Sequence, residues 1–284
     1  MFHVEHNNLV LLAKCIDHLV TQERFDVILD RHTGIAATQP KPSPAQLPAY
    51  YQSDQYLSHG VRQQSLISFL YTRVQQWMFK RKHSWLSSAA RRGKRYLDYG
   101  CGTGAFVRYL NRKGWQAFGV EPNEKARSVY DDPCVVASFE ELSTSDFDVI
   151  GLWHVLEHVS SPRETLKDLF LALSPGGSLF LALPNFNSHD ASYYKENWAG
   201  YDVPRHLWHF SSRGIVRLCE SLGFQHRQTK GMFFDAFYIS YLSEQQMKRR
   251  FPLLRAMGVG LWSNAKAMRT GEYSAMMYCF TKLH

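Results

Sequence analysis

The chain has 284 residues, 45% of them apolar, which suits one large domain or a main domain with appendages and excludes global disorder. No apolar run is as long as a membrane span. The N-terminal MFHVEHNN places acid and histidine ahead of any apolar run, unlike a secretory signal. Five scattered cysteines fit a reducing cytoplasm better than a disulfide framework, because an odd, unclustered set cannot all pair.

RFDVILD (24–30) alternates as a strand, RHTG turns, and IAAT follows as a second strand. Residues 1–48 therefore read as a small N-terminal hairpin region, closed by the proline-rich QPKPSPAQLP. Residues 49–94 read as a linker and an amphipathic helix. Leu66, Ile67, Leu70, Val74, Trp77 and Met78 recur there at three- and four-residue steps. From residue 95 strands and helices alternate. RYLDY, WQAFGVEP, CVVAS, FDVIGLW and SLFLALP are strands. AFVRYLNRKG is a helix ended by Gly114, NEKARSVY a helix capped by Asn123, and PRETLKDLFLALSPGG a helix closed by Pro-Gly-Gly. This order predicts an α/β fold over 95–284: a Rossmann-like, mostly parallel seven-stranded sheet with helices on both faces. After Pro184 the rhythm breaks. The aromatic- and histidine-rich segment 186–210 is too long for a plain connection and reads as a lid or acceptor segment. The helix RGIVRLCESLG, a strand near 224–230, a helical insertion at about 235–268 and a closing strand, EYSAMMYCFTK, complete the chain.

Ligands of such sheets bind at the carboxyl ends of the strands. YLDYGCGTGAF (96–106) follows the first of them, with Gly100, Gly102 and Gly104 at alternate positions. The loop fits a dinucleotide, since Gly100, Gly102 and Ala105 match G-x-G-x-x-G/A and Glu121 lies 21 residues after Gly100. It also fits S-adenosylmethionine, which has no phosphate and carries an ammonium and a sulfonium. Asp98 decides on charge, because a carboxylate beside the loop repels a pyrophosphate and suits a cation.

LDYGCGTGAF, VEPN, FDVIGLWHVLEHV and LSPGGSLFLALPN, in this order and spacing, resemble the successive motifs of class I S-adenosylmethionine-dependent methyltransferases over residues 95–185. DASYYKENWAGYDVPRHLWHFS and AYYQSDQYLSHG further resemble a bacterial subgroup whose N-terminal region is similar to a zinc ribbon. This chain departs from the ribbon: Leu29 and His32 stand where a second cysteine pair is expected, and only Cys15 remains. His3, His6, Cys15, His18 and His32 keep no CxxC anchor, so the expectation is a region without metal that still packs on the core.

The resemblance implies a methyltransferase acting at oxygen or carbon of a small or carrier-linked bacterial metabolite. The candidate cofactor contacts are Asp98, Gly100, Cys101, Gly102, Gly104, Glu121 and Pro122, with Trp153 after the fourth strand. Phe139 either stacks on adenine or belongs to the core. Tyr51 and Tyr56 fold over the cofactor or pack at the linker. His154, His206 and His209 are candidate bases, because imidazole titrates near neutrality, and Tyr201 and Arg205 candidate substrate contacts. Glu157 and His158 read as braces for the following helix.

The net charge of +8 gathers at Lys80–Lys82, at Arg91, Arg92, Lys94 and Arg95, and at Lys248–Arg250. These clusters read first as solvated helix ends. A nicotinamide-dependent oxidoreductase and an RNA-directed methyltransferase are the alternative functions. Base-directed amine methylation is disfavoured, because Leu152-Trp153-His154-Val155 replaces the Asn/Asp-Pro-Pro-aromatic run it needs. The helix over 61–83 with Lys80–Lys82 also fits a peripheral contact with an anionic membrane. The acceptor and the oligomeric state are not readable from the chain.

Overall fold

The computed structural model describes residues 8–51, 66–90, 93–142 and 146–283. His3, His6, Tyr56, Arg91 and Arg92 lie outside them. Seven strands form the main sheet: β4 (Arg95–Tyr99), β5 (Gln116–Val120), β6 (Val135–Val136), β7 (Phe147–Trp153), β8 (Leu173–Pro184), β10 (Phe224–Gly231) and β11 (Ala275–Lys282). Their order is β10-β11-β8-β7-β4-β5-β6, and only β11 runs antiparallel to its neighbours. The chain moves outward from β4 to β6 and then returns to β7 on the other side of β4. That reversal leaves a crevice at the carboxyl ends of β4 and β7.

Both faces of this sheet are buried, so its strands read as apolar runs with two alternating sets. Leu97, Ile150, Leu152, Leu179, Leu181 and Tyr278 point into one core. It is covered by α4 (Pro162–Ala172) and α6 (Ser212–Glu220), whose Leu166, Leu169 and Ile215 are buried there. Tyr96, Val149, Phe180, Ala182 and Met277 point into the other, with α1 (Leu66–Ala89) and α2 (Ala105–Asn111) supplying Trp85, Leu86, Phe106, Val107 and Leu110. Each fully buried leucine contributes roughly 1.5–3 kcal/mol.

A second, smaller sheet joins the N-terminal strands to the 186–210 segment. β1 (Leu9–Ile16), β2 (Arg24–Asp30) and β3 (Ile35–Gln39) form an antiparallel meander, and β9 (Trp208–Phe210) pairs with β3. Its inner face packs Phe25, Val27 and Ala36 against Trp198, Tyr201 and Val203 from the aromatic segment. That segment contains α5 (His189–Tyr194), capped by the Ser188 side chain. Cys15 is buried in this core, which pushes its thiol up to about 12.

Several expected elements change length. α1 continues to Ala89, because Trp85 and Leu86 keep the apolar register and no glycine or proline interrupts it. The helix after Asn123 shrinks to α3 (Glu124–Arg127), and CVVAS keeps only two strand residues. The Pro-Gly-Gly does not close α4. The helix stops at Ala172, Leu173 already pairs with Phe147, and the register slips before Ser178 meets Val149. Pro175, Gly176 and Gly177 thus lie in a β-irregularity. The helical insertion is two helices, α7 (Asp235–Gln246) and α8 (Pro252–Thr270), separated by a turn at Lys248–Phe251. Among the described residues, no helix is long and apolar enough to cross a membrane.

Candidate active site

β4 ends at Tyr99 and the chain enters the glycine loop, where Gly100, Gly102 and Gly104 all take positive φ (77°, 57° and 73°). Glycine reaches this region without a Cβ penalty. The three differ in surroundings. A β-carbon on Gly100 would strike Val155 and one on Gly104 would strike Val135, whereas one on Gly102 would meet no atom within 4 Å. Gly102 therefore presents bare backbone to open space. Its N–H donates to Glu121 Oε2 and that of Asn123 to Glu121 Oε1, both at 2.9 Å. The carboxylate after β5 is thereby fixed against the loop. The Cys101 side chain turns toward Gly119, where a β-carbon would fall 2.5 Å from its sulfur, so only the Cys101 backbone belongs to the loop. Pro122 is exposed, and Phe139 packs beside Tyr99 at a ring distance of 6.5 Å, against the first core.

Asp98 is buried on β4. The Tyr96 hydroxyl donates to its Oδ1 at 3.0 Å, and the Trp153 indole N–H donates to the Tyr96 oxygen at 2.9 Å. This relay crosses β7 above Gly151, where a β-carbon would sit 2.4 Å from the Tyr96 oxygen. Lys82 of α1 holds its ammonium 4.2 Å from the centre of the Trp153 ring. Burial pushes Asp98 up to about 6, against the pull of Lys82 and Tyr96. Burial also lowers Lys82 to about 8, opposed by Asp98 and Asp235. Lys82 is thus not a solvated charge of the Lys80–Lys82 cluster. It lies four residues after Met78 and three before Trp85, in the inward register of the helix, and that spacing was the available signal. Lys82→Met should move the midpoint of cofactor affinity against pH upward by about one unit, because Asp98 loses the cation that favours its ionised form. Calorimetric titration with S-adenosylhomocysteine across that pH range reads the shift directly.

His154 follows β7 with φ 58°, its N–H held by the Ala182 carbonyl at 3.0 Å. Its Nδ1 lies 3.6 Å from Glu157 Oε1 and its Nε2 3.7 Å from Asp235 Oδ1. Burial disfavours the imidazolium, but the two carboxylates outweigh it and raise the pKa above the ordinary histidine value. Glu157 is fully buried, and neither carboxylate oxygen has a hydrogen-bond partner among the described residues. Burial resists its charge, yet His154, His206 and His158 hold its pKa below the usual range. Glu157, His158 and His206 each bring one donor atom within 4.8 Å of the others. A small cavity lined by Glu157, His206, Trp198 and Trp208 adjoins them. Such a donor set suits an ordered water or a cation.

Of the other predicted residues, His206 and His209 line this small cavity, and Tyr201 and Arg205 lie deeper in the smaller sheet's packing. His209 lies on β9, its Nε2 3.0 Å from Thr38 Oγ1 and its ring against Tyr201. Burial, with His206 adding, lowers it to about 3, so it is a neutral tie between β3 and β9 within the smaller sheet. His206 is buried with Nδ1 3.0 Å from the Gly200 carbonyl. His158 donates from Nδ1 to the Arg205 carbonyl at 3.0 Å and lies 3.1 Å from the Tyr51 hydroxyl. Tyr51 therefore sits at the His158 side of the site. Tyr201 packs edge-on to Trp198 inside the core of the smaller sheet. Arg205 spends its guanidinium on Asp17 and Asp202 and is 1% exposed, which leaves no face for a substrate. Asp235, which opens α7 after Phe234, went unnoticed because no local pattern marks it.

A family model described as a methyltransferase domain matches residues 73–229, more than half of the chain. The chain belongs to that family. It is an S-adenosylmethionine-dependent methyltransferase, and the nicotinamide reading of the glycine loop is set aside. The match begins inside α1, so Lys82 and the later part of that helix lie within the matched residues. A ubiquinone biosynthesis O-methyltransferase from Idiomarina loihiensis is 24% identical over 55% of this chain and 71% of its own length. Further curated relatives of that name are matched over half of their length or less. Among solved structures, a methyltransferase from Archaeoglobus fulgidus superposes with a TM-score of 0.50 and 20% identity, covering 76% of this chain and 99% of that one. Phosphoethanolamine N-methyltransferase 2 of Haemonchus contortus, in complex with S-adenosyl-L-methionine, gives 0.54 and 15% over 100% of this chain and 71% of that one. At those identities the methyltransferase shares their fold.

Proposed function

We propose that this methyltransferase moves a methyl group to a hydroxyl oxygen of a small metabolite, free or carrier-linked, in the cytoplasm. The name of the curated relatives supports oxygen as the acceptor. The residues fit the cofactor. Gly102 leaves room for the methionine arm, buried Asp98 offers an anion to its ammonium or sulfonium, and the Glu121 carboxylate is placed for ribose hydroxyls. Bound S-adenosylmethionine supplies the electrophilic methyl and leaves as the neutral thioether.

The observation that carries the oxygen reading is His154, held beside Trp153 at the mouth of the crevice between Glu157 and Asp235. An alcohol must lose its proton as it attacks. A neutral imidazole flanked by two carboxylates accepts that proton, and the carboxylates stabilise the imidazolium that forms. The 186–210 segment, packed in the core of the smaller sheet and reaching Glu157 through His206, forms the wall over the acceptor.

His154→Ala should lower kcat by about 10²–10⁴-fold and leave S-adenosylhomocysteine affinity within about threefold. The rate should rise with pH through the elevated His154 pKa, because only the neutral ring accepts a proton. Asp235→Asn removes one carboxylate, so its profile should reach the plateau at lower pH. The assay incubates hydroxylated acceptors, free and carrier-linked, with methyl-13C-labelled cofactor, and the carbon shift of the product separates oxygen, carbon and nitrogen methylation. Unchanged turnover in His154→Ala would remove the base, and a C-methyl shift would overturn the oxygen reading.

A further inference from the structure

α8 is inverted. Its buried face is made of Ala256, Gly260, Ser263, Asn264 and Ala267. A β-carbon on Gly260 would fall 2.6 Å from the Phe237 ring, so α7 and α8 approach closely there. Ser263 donates to buried Asp190 at 2.7 Å, and the Asn264 amide donates to the Phe233 carbonyl at 3.0 Å. Small and hydrogen-bonding residues thus serve the interior. The large apolar residues point to solvent: Leu253, Leu254, Met257, Leu261, Trp262 and Met268 are all exposed, Leu254 at 75% and Met268 at 76%.

Placed at 3.6 residues per turn, five of them fall within an arc of about 100°, and Trp262 lies about 80° beyond its edge. Arg255, Lys266 and Arg269 share the sector of Trp262, with the Lys266 ammonium 5.2 Å from the centre of its ring. From Gln245 to Gly271 the sequence has six cations and no acid, counting Lys248, Arg249 and Arg250 in the preceding turn. Arg249 and Arg255 approach Glu244 at 4.0 and 2.8 Å, whereas Lys248, Arg250, Lys266 and Arg269 meet no carboxylate among the described residues.

We infer that α8 lies flat on an anionic lipid bilayer surface, its apolar arc among the acyl chains and its cation row at the headgroups. An outward apolar face flanked by cations, with an amphipathic aromatic ring among them, is the arrangement of an in-plane interfacial helix. Charge separates this from self-association. A two-fold dimer through α8 would set its four uncompensated cations against the same four of the partner copy, with no acid from Gln245 to Gly271 to offset them. A lipid surface supplies the counter-charge. The inference places the membrane contact on α8, not on the helix over 61–83, where Lys82 turns inward. It does not depend on the proposed reaction, since the test needs no turnover.

The full chain is sedimented with phosphatidylcholine vesicles, with and without phosphatidylglycerol, at low and high salt. It should pellet with the anionic vesicles and be released by salt. Leu254→Glu with Leu261→Glu, and separately Lys266→Glu with Arg269→Glu, should each cut the bound fraction about tenfold. These side chains are exposed, and unchanged thermal melting shows that the fold is kept. Brominated lipid should quench a tryptophan component that is missing in Trp262→Phe. Wild-type chain left in the supernatant, equal pelleting of the Leu254→Glu, Leu261→Glu variant, or quenching unaffected by Trp262→Phe would each overturn the inference. So would a dimer in sedimentation velocity that those glutamates dissolve while vesicles bind nothing.

Discussion

Asp98→Asn should weaken S-adenosylhomocysteine binding at least 100-fold and leave the free protein no less stable. The carboxylate is buried, and its pKa is pushed from 3.8 to about 6 by that burial. The folded state therefore holds the proton more tightly than the unfolded state does. Stability falls as pH rises from about 4 to about 6 and is level above. A rise of about two units corresponds to roughly 3 kcal/mol, carried as a penalty at neutral pH by the ionised apo site. Asparagine keeps the acceptor for the Tyr96 hydroxyl and has no charge to desolvate. The ligand reverses the balance, because the ammonium that S-adenosylhomocysteine shares with the cofactor gives the anion a partner in a low-dielectric site. Charge-assisted bonds of about 1.5–3 kcal/mol each are lost on neutralisation, and about 2.8 kcal/mol is already 100-fold. The same linkage predicts that wild-type affinity weakens as pH falls below about 6, while the weak binding of Asp98→Asn stays flat through that range. Calorimetry of binding and of unfolding measures both halves. An Asp98→Asn variant that binds within threefold of wild type, or melts well below it, would show that the charge is not held for the cofactor.

Residues close in sequence to a strand end were legible, and residues delivered from elsewhere were not. The three glycines, Asp98 and Glu121 follow β4 and β5 by fixed short spacings, so the motif and the geometry coincide. The parallel order was legible because both faces of β4, β7 and β8 are apolar. β1 escaped notice because its outward positions, Leu9 and Leu11, are apolar and exposed, which erases the alternation that marks a half-buried strand. Lys82 was read as surface charge, since a lysine in an apolar register looks like a break in the pattern until Asp98 and the Trp153 ring stand opposite it. Asp235 lies 81 residues beyond His154, and no local spacing encodes that meeting. The aromatic segment misled in the other direction. Its histidines and Arg205 looked chemically available because their partners, Asp17 and Thr38, lie in the N-terminal sheet, 188 and 171 residues away.

Arg205→Ala should destabilise the protein by about 3–5 kcal/mol. Its Nη1 and Nη2 donate to Asp17 Oδ1 at 3.1 and 3.0 Å, and its Nε and Nη2 to Asp202 Oδ1 at 3.0 and 2.7 Å. Nη1 also reaches the Tyr50 carbonyl at 3.1 Å. Asp17 is fully buried and caps its own turn through Leu19 and Thr21 N–H groups, so it cannot follow the missing cation into water. The truncation leaves one buried charge uncompensated, which is the costly way to break such a pair. For a chain of this size that loss lowers Tm by roughly 10 °C. Arg205→Lys should recover little, since a point ammonium cannot span two carboxylates that a planar fork bridges. Combining Arg205→Met with Asp17→Asn should recover more than half of the loss, because the stranded charge goes with its partner. A substrate contact predicts the opposite pattern: a raised KM at unchanged Tm, partly restored by lysine. Thermal unfolding of the four proteins therefore decides whether Arg205 clamps the N-terminal sheet onto the 186–210 segment. If it does, the wall beside His154 and Glu157 is held by a residue that never meets the acceptor, and any loss of turnover in Arg205→Ala should be recovered by the double variant to the extent that stability is.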